Sequence, residues 1–487
     1  LKKDLLETLT GVKKEERVRV FLCFLATFSL LISYYMIKPY RNSSFINEFN
    51  PNLKPLFYLC TATLSLGITK IFNYFFERID MHGLLRRTFV VMIGLKVFFA
   101  IGLSYGGKAA VVGFFFFASV YFLLCVAVTW GSINFLFTPE QSRRTFGFIA
   151  MGGTFGGMFG SKFTYSIIDM GYKAYLLPLS GVVLGLSAVF MYFASRHLRV
   201  WKPEAKTKEP EFKLIDKEDS KEKSSDFSTL WNHHYIHCLA VMVFALAVAN
   251  TVFDLQSDLV IDQQISKSAY EQVSSKTSLN FDQFYGLKSA LNRESYLQEL
   301  KLEPQKVQME LKHFEVFQKE HGVVGGKFYS QTYLFQGIVG LGFLFLSRFI
   351  FNWFGVRFAA LLLPSFFLIA GFAFLGDLSL ELLQLIMILA GALNYSLNNA
   401  TKEVLYTPTR PATKGKYKAL IEGPVMRMGD VLASAIKVLL LVVLGQLAYS
   451  SVYLFFGALV VLYWMKCMWY ATGVYQKMKD EDQMGSI

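Results

Sequence analysis

Apolar runs of bilayer-spanning length recur from one end of this chain to the other, and that recurrence leaves it few possible folds. A helix needs about 20 apolar residues to cross the hydrocarbon, and such runs fall at 19–38, 55–76, 87–105, 109–137, 145–168, 173–197, 233–256, 328–351, 355–376, 380–405, 418–446 and 450–473. Backbone amides find no water inside lipid, so each run must satisfy its own hydrogen bonds as a helix. The expectation is an all-α membrane protein with about twelve transmembrane helices. A composition that is 53% hydrophobic and 16% aromatic agrees.

A formal net charge of +13 would suit a nucleic-acid binder, but the basic residues fall between the runs. Arg86 with Arg87, Arg143 with Arg144, the stretch from Arg196 to Lys223, Arg348 with Arg357, and Lys414 to Lys418 occupy alternate connections, while 376–380 and 446–451 carry few or none. Lysine and arginine accumulate on the cytoplasmic side of membrane proteins. Both termini are therefore expected in the cytoplasm, with a bacterial inner membrane as the expected location and no nucleic acid as a partner. The excess charge then reports topology and contact with anionic lipid. The five cysteines stand singly inside apolar runs and read as small core residues, and no cleavable signal is expected because the first apolar run is of spanning length.

The most polar stretch inside the apolar part of the chain runs from Asn394 to Asp430. Asn394, Asn398 and Lys402 are spaced four and four, which places them on one helical face, with Glu403 alongside. Pro408 and Pro411 break the helix; Lys414, Lys416 and Lys418 come next in a turn, and a second helix carries Glu422, Arg427, Asp430 and Lys437 into the next apolar run. In the first half, Lys38 and Arg41 come where the first span should leave the hydrocarbon. One reading is snorkelling at a helix end, the other a cationic wall facing an anion. Lys70 and Lys96 lie inside the second and third runs, where a lysine costs about 2.5–3.5 kcal/mol at the bilayer centre.

The fourth span ends WGSINFLFTP, succeeded by a basic turn, SRRTFG, and a new helix. The later stretch repeats that order: an asparagine (Asn134, Asn398), an aromatic-Thr-Pro break, a basic turn and a helix. Such an internal echo predicts two six-helix halves of major-facilitator type. Gly152, Gly156 and Gly160 form a small-residue stripe, which reads as close helix packing and not as a phosphate loop. The expected organisation is a surface helix at 1–18, a six-helix bundle at 19–197, a charged cytoplasmic linker at 198–228, a second bundle at 229–475 and a cytoplasmic tail at 476–487. Residues 259–327 read as an extracytoplasmic insertion, either a helical cap that binds a partner or gates, or a spacer. His233, His234 and His237 read as interfacial residues, so no metal is expected. Asn250, Asp254 and Asp258 share a face, with Asp254 the candidate proton or counter-ion carboxylate.

The chain resembles the nucleotide transporters of the ATP/ADP translocase type found in plastids and intracellular bacteria. The resemblance rests on Lys38, Pro39 and Arg41 at the end of the first span, and on KEVLYTP, KGKYKA, Glu422 and Arg427-Met428-Gly429 in the second half. Asn42 stands where the family has an acidic residue. The resemblance implies a major-facilitator-like carrier exchanging ATP for ADP without hydrolysis, with no cofactor. Buried lysines and arginines suit a phosphate chain, and Lys38, Arg41, Lys70, Lys96, Asn134, Asn394, Asn398 and Lys402 are the expected substrate contacts. Tyr34, Tyr35, Trp130 and Tyr395 are aromatic candidates for stacking a base. Asp254, Asp258, Glu403, Lys416, Lys418, Glu422, Arg427 and Asp430 are expected to gate or couple transport. Two alternatives stand beside this: a carrier of another anion, coupled to protons through Asp254, and a non-transporting protein that uses the insertion to recruit a partner. No nucleophile–base set or phosphate loop points to an enzyme.

Overall fold

The computed structural model describes residues 12–76, 78, 81–105, 107–200, 233–290, 292–409, 417–418 and 420–481. Residues 201–228 of the expected linker, 1–11 of the expected surface helix and 482–487 of the expected tail, together with Pro411, Lys414, Lys416 and the side chain of Lys70, lie outside the described residues. The elements described are helices: α1 (Arg17–Glu48), α2 (Lys54–Phe76), α3 (Met81–Tyr105), α4 (Lys108–Asn134), α5 (Pro139–Asp169), α6 (Leu176–Val200), α7 (His234–Glu271), α8 (Phe281–Ser289), α9 (Arg293–Glu299), α10 (Pro304–Trp353), α11 (Gly355–Ala373), α12 (Leu380–Leu393), α13 (Asn399–Leu405) and α14 (Met426–Asp480). Ten segments among the described residues are long and apolar enough to cross a bilayer, and α2 and α5 are further helices of spanning length. The last two of these ten, Ile421–Gly445 and Ser450–Asp480, are parted within α14 at Gly445, whose φ of 67° is one that residues with a Cβ seldom adopt.

Contacts divide the chain into two compact units. One comprises Leu1–Leu198, Leu255–Val339 and Leu378–Leu389, the other Arg199–Asp254, Gly340–Asp377 and Ala390–Ile487.

Within the first unit, α1 and α5 form the most extensive helix pair, and the glycine stripe is the reason. A Cβ at Gly152, Gly156 or Gly160 would lie 2.5, 2.3 and 2.6 Å from the carbonyl oxygens of Phe24, Phe28 and Ile32. Only a residue without a side chain lets the two backbones come this close. The sequence pattern ends the first span near Lys38, yet α1 runs on through Pro39 to Glu48. Proline cannot donate to the carbonyl four residues back, and here the Thr164 hydroxyl of α5, whose one proton also has Gly160 O of its own helix at 2.9 Å, lies 3.2 Å from that carbonyl, Tyr35 O, and 3.3 Å from Met36 O. Thr27 of α1 returns a bond to Ile149 O at 2.9 Å. α5 itself starts at the Thr-Pro break with a capping box between Thr138 and Gln141.

The insertion is helical. Phe284, Leu287, Leu297, Phe314 and Phe317 are buried in a small apolar cluster of their own that joins α8 and α9 to the start of α10. The second unit repeats the close approach found in the first, since a Cβ at Gly429 of α14 would lie 2.6 Å from Phe244 O of α7. Gly156→Leu should force α5 off α1 and destabilise the protein by about 1–3 kcal/mol; a lowered unfolding temperature of the detergent-purified variant, with Gly147→Leu as the unhindered control, is the measurement.

Candidate functional site

Continuing α1 past Pro39 places Lys38 and Arg41 inside a helix, half-buried in the first unit. Lys38 Nζ lies 4.0 Å from the centroid of the Tyr333 ring and 5.3 Å from that of Tyr35. The Arg41 guanidinium donates to Asn42 Oδ1 from Nε at 3.1 Å and from Nη2 at 2.9 Å, and to Ser119 Oγ from Nη1 at 3.3 Å. Asn42 Nδ2 donates onward to the Tyr333 hydroxyl at 2.9 Å. An amide oxygen orients a guanidinium without cancelling its charge, so Asn42 leaves Arg41 more cationic than an acid in its place would. Tyr34 is buried and stacks on Phe122 at 4.1 Å, and Tyr35 meets Tyr333 edge-on at 5.9 Å.

A buried ion pair lies next to this group. The Tyr333 ring stacks on Tyr329 at 6.4 Å, the Tyr329 hydroxyl donates to Asp258 Oδ1 at 2.6 Å, and Asp258 pairs with Lys54 at the start of α2. Asp258 is 3% and Lys54 2% exposed, whereas Asp254, the carboxylate favoured from the sequence, is exposed. Sequence reasoning passed over Lys54, Ser119, Tyr329 and Tyr333, and noted Asn42 only as a departure from the family. The available signal was Asp258 itself, because a carboxylate at membrane depth calls for a cation.

Lys96 is fully buried among α1, α3, α4 and α6, apart from this cluster. It donates to Ser33 Oγ at 2.6 Å and to Ser180 O at 3.2 Å, and its Nζ lies 4.1 Å from the Tyr121 ring centroid. Those three neighbours are what an ammonium with three protons needs. Trp130 packs against Phe146 at 5.7 Å, and Asn134 is exposed at the end of α4.

In the second unit the α-helical ladder is interrupted twice by a π turn, at Asn394–Asn398 and at Ile421–Val425, where Pro424 removes a donor. Asn394 is half-buried and Asn398 is 1% exposed with both amide atoms unpartnered among the described residues, while Tyr395 is 60% exposed. Lys402 pairs with Glu422 at 3.0 Å, Lys418 pairs with Glu403, and Arg427 pairs with Asp430 at 3.2 Å. Thr251 of α7 also donates to Asp430, at 3.1 Å. Lys402, Glu403, Lys418, Glu422, Arg427 and Asp430 are thus brought together in pairs. His234 packs edge-on against Tyr470 at 4.5 Å and His237 Nε2 lies 3.1 Å from the Tyr463 hydroxyl.

The insertion has a polar centre of its own. Asp262 pairs with Lys288 of α8, accepts from the Tyr285 hydroxyl at 2.6 Å and contacts His321 Nε2 at 3.1 Å. Burial pulls the Lys288 ammonium below the ordinary lysine range, and Asp262 opposes that shift. Arg293 of α9 and Gln318 of α10 both reach the Glu48 carboxylate at the end of α1, at 2.9 and 3.1 Å.

Among solved structures the chain is similar to the nucleoside transporter NupG, at 10% identity with a TM-score of 0.55 over 95% of this chain and 99% of that one. It is also similar to a bacterial homologue of the iron transporter ferroportin, at 12% identity and a TM-score of 0.54 over 95% and 100% of the two chains. A POT family transporter gives 12% and 0.54 over 93% and 96%. The chain is therefore a multi-pass membrane protein of the major-facilitator fold. A family model described as TLC ATP/ADP transporter matches residues 378–475, the stretch that holds Lys402, Glu403, Glu422 and Arg427. The family resemblance read from the sequence stands there, and the match points to membrane transport. No curated protein matches the chain.

Breaking a buried ion pair from one side strands the other charge, at a cost of about 3–5 kcal/mol. Lys54→Met should lower the unfolding temperature strongly, and the double variant Lys54→Met/Asp258→Leu should recover most of the loss. Equal destabilisation of the single and the double variant would mean that the pair is not what holds α2 to α7.

Proposed function

We propose that this protein carries nucleotides across a membrane by alternating access, exchanging ATP-like for ADP-like species without hydrolysing them. The observation that carries the reading is the TLC ATP/ADP transporter match over residues 378–475, which covers the chain's most polar intramembrane stretch. The chemistry of the first unit supports it. Lys38 offers a point charge and Arg41 a fork, the two forms of cation that suit a phosphate chain, and tyrosines surround both. NupG, a nucleoside transporter, shares the fold, but at 10% identity that likeness concerns fold alone.

In this reading Lys38 and Arg41 are the first unit's cations for a polyanion, and Lys402, with Asn394 and Asn398 on the same stretch, is the second unit's. Phosphate competes with Glu422 for Lys402, so arrival of substrate exchanges one partner of that lysine for another. Glu403, Lys418, Arg427 and Asp430 then re-pair as the carrier changes state, with Asp258 held by Lys54. Lys96 serves as an internal pin of the first bundle. In this reading the membrane is a bacterial inner membrane and both termini are cytoplasmic, the orientation supported by the lysine and arginine of alternate connections.

Lys38→Ala and Lys402→Ala should each lower exchange of labelled ATP for internal ADP in proteoliposomes by about tenfold or more, as loss of one charged contact worth about 1.4 kcal/mol or more would. Wild-type rates in both variants would dismiss the site. If wild-type protein takes up no nucleotide while sugar phosphates or dicarboxylates raise its unfolding temperature, the substrate is a different anion.

A further inference from the structure

The second unit contains a cavity of about 470 Å³ that neither the charge pairs nor the π turns touch. It lies between α7, α11 and the second span of α14, and among its walls are Phe253, Phe367, Gly371, Phe372, Phe455 and Leu462. Among the described residues Ser451 is the only polar one in its lining, so water would find few hydrogen-bond partners there, and apolar cavities tend to stay dry. A phosphorylated substrate has no reason to enter it.

The mouth is as informative as the walls. Phe372, Leu375, Phe455 and Leu462 are 72%, 60%, 64% and 52% exposed, on or directly beside helices that have the length and apolarity of membrane spans. The opening therefore faces hydrocarbon. Ser451 lies at the first turn of its span, and Phe374 and Leu375 directly succeed α11, so one end of the groove lies near the membrane boundary. Its hydroxyl end and apolar length match the two ends of a lipid.

We propose that this groove holds one acyl chain of a bilayer phospholipid, with the glycerol end at Ser451 and the tail running between Phe253 and Phe455. The occupant comes from the leaflet faced by the basic-poor connections 376–380 and 446–450, since those flank the groove. Ordinary boundary lipid rests on the outside of a bundle, while this chain would pass between helices and fill space that would otherwise forfeit dispersion contacts. The inference depends on the fold and not on the transported substrate.

Gly371 supplies a direct test, because a Cβ built there meets no protein atom within 4 Å. Gly371→Leu should fill the groove without disturbing a neighbour, and Ala458→Phe should do so from the α14 side. Full-length protein in proteoliposomes is photolabelled with a phosphatidylethanolamine carrying a diazirine in its tail, and the labelled peptides are mapped. Label should concentrate on α7 near Phe253 and on α14 near Phe455, and fall about tenfold in either variant. Label at Phe345, which is 70% exposed on α10, should not change. Native mass spectra of the detergent-purified wild type should retain one phospholipid that Gly371→Leu lacks. Label spread evenly over the exposed helices, label unchanged in both variants, or retention of a sterol or detergent in place of phospholipid would overturn the proposal.

Discussion

The carbonyl that Pro39 leaves without its helical donor is the point on which the first unit turns. In lipid, an unsatisfied backbone group costs several kcal/mol, so α1 can pass through a proline only if a neighbour supplies the missing hydrogen bond. The Thr164 hydroxyl comes within 3.2 Å of it. It reaches that carbonyl because the three glycines of α5 let the two backbones approach closely. Lys38 and Arg41 thus stand on a continuous helix, and Asn42 and Ser119 can set the guanidinium plane.

Charge is treated in three ways within this membrane protein. Lys54 with Asp258, and Lys288 with Asp262, are paired and buried. Lys96 is buried with its charge spread over a hydroxyl, a carbonyl and a ring. Lys38 and Arg41 are half-buried beside tyrosines and neutral acceptors. In the last arrangement the Arg41 guanidinium is oriented by a neutral amide oxygen and a hydroxyl. In the second unit Lys402 has a counter-ion, Glu422, which makes its availability depend on competition.

The spans were legible from the sequence because helix length and hydropathy derive directly from the thickness of the hydrocarbon. The glycine stripe was legible because spacing alone puts those residues on one side of a helix, and the stretch around Lys402 because its residue types recur in a known family. What escaped depended on partners distant in the chain. Thr164 approaches the carbonyl freed by Pro39 from 125 positions away, and Ser180 meets Lys96 from 84; no local pattern announces either. The π turn at Asn394–Asn398 escaped for a different reason, since such a turn leaves no reliable mark in a string of residues and period-based reasoning assumes that the turn size is constant.

The insertion between α7 and α10 keeps its acids and lysines close together, as Asp262 with Lys288 illustrates. Over residues 259–327 nine lysines and arginines are balanced by nine aspartates and glutamates. A segment of zero net charge feels no net electrophoretic force from the membrane potential, which would otherwise do about 2.3 kcal/mol of work per charge per 100 mV. The membrane potential therefore neither draws the segment across the bilayer nor holds it back as a whole.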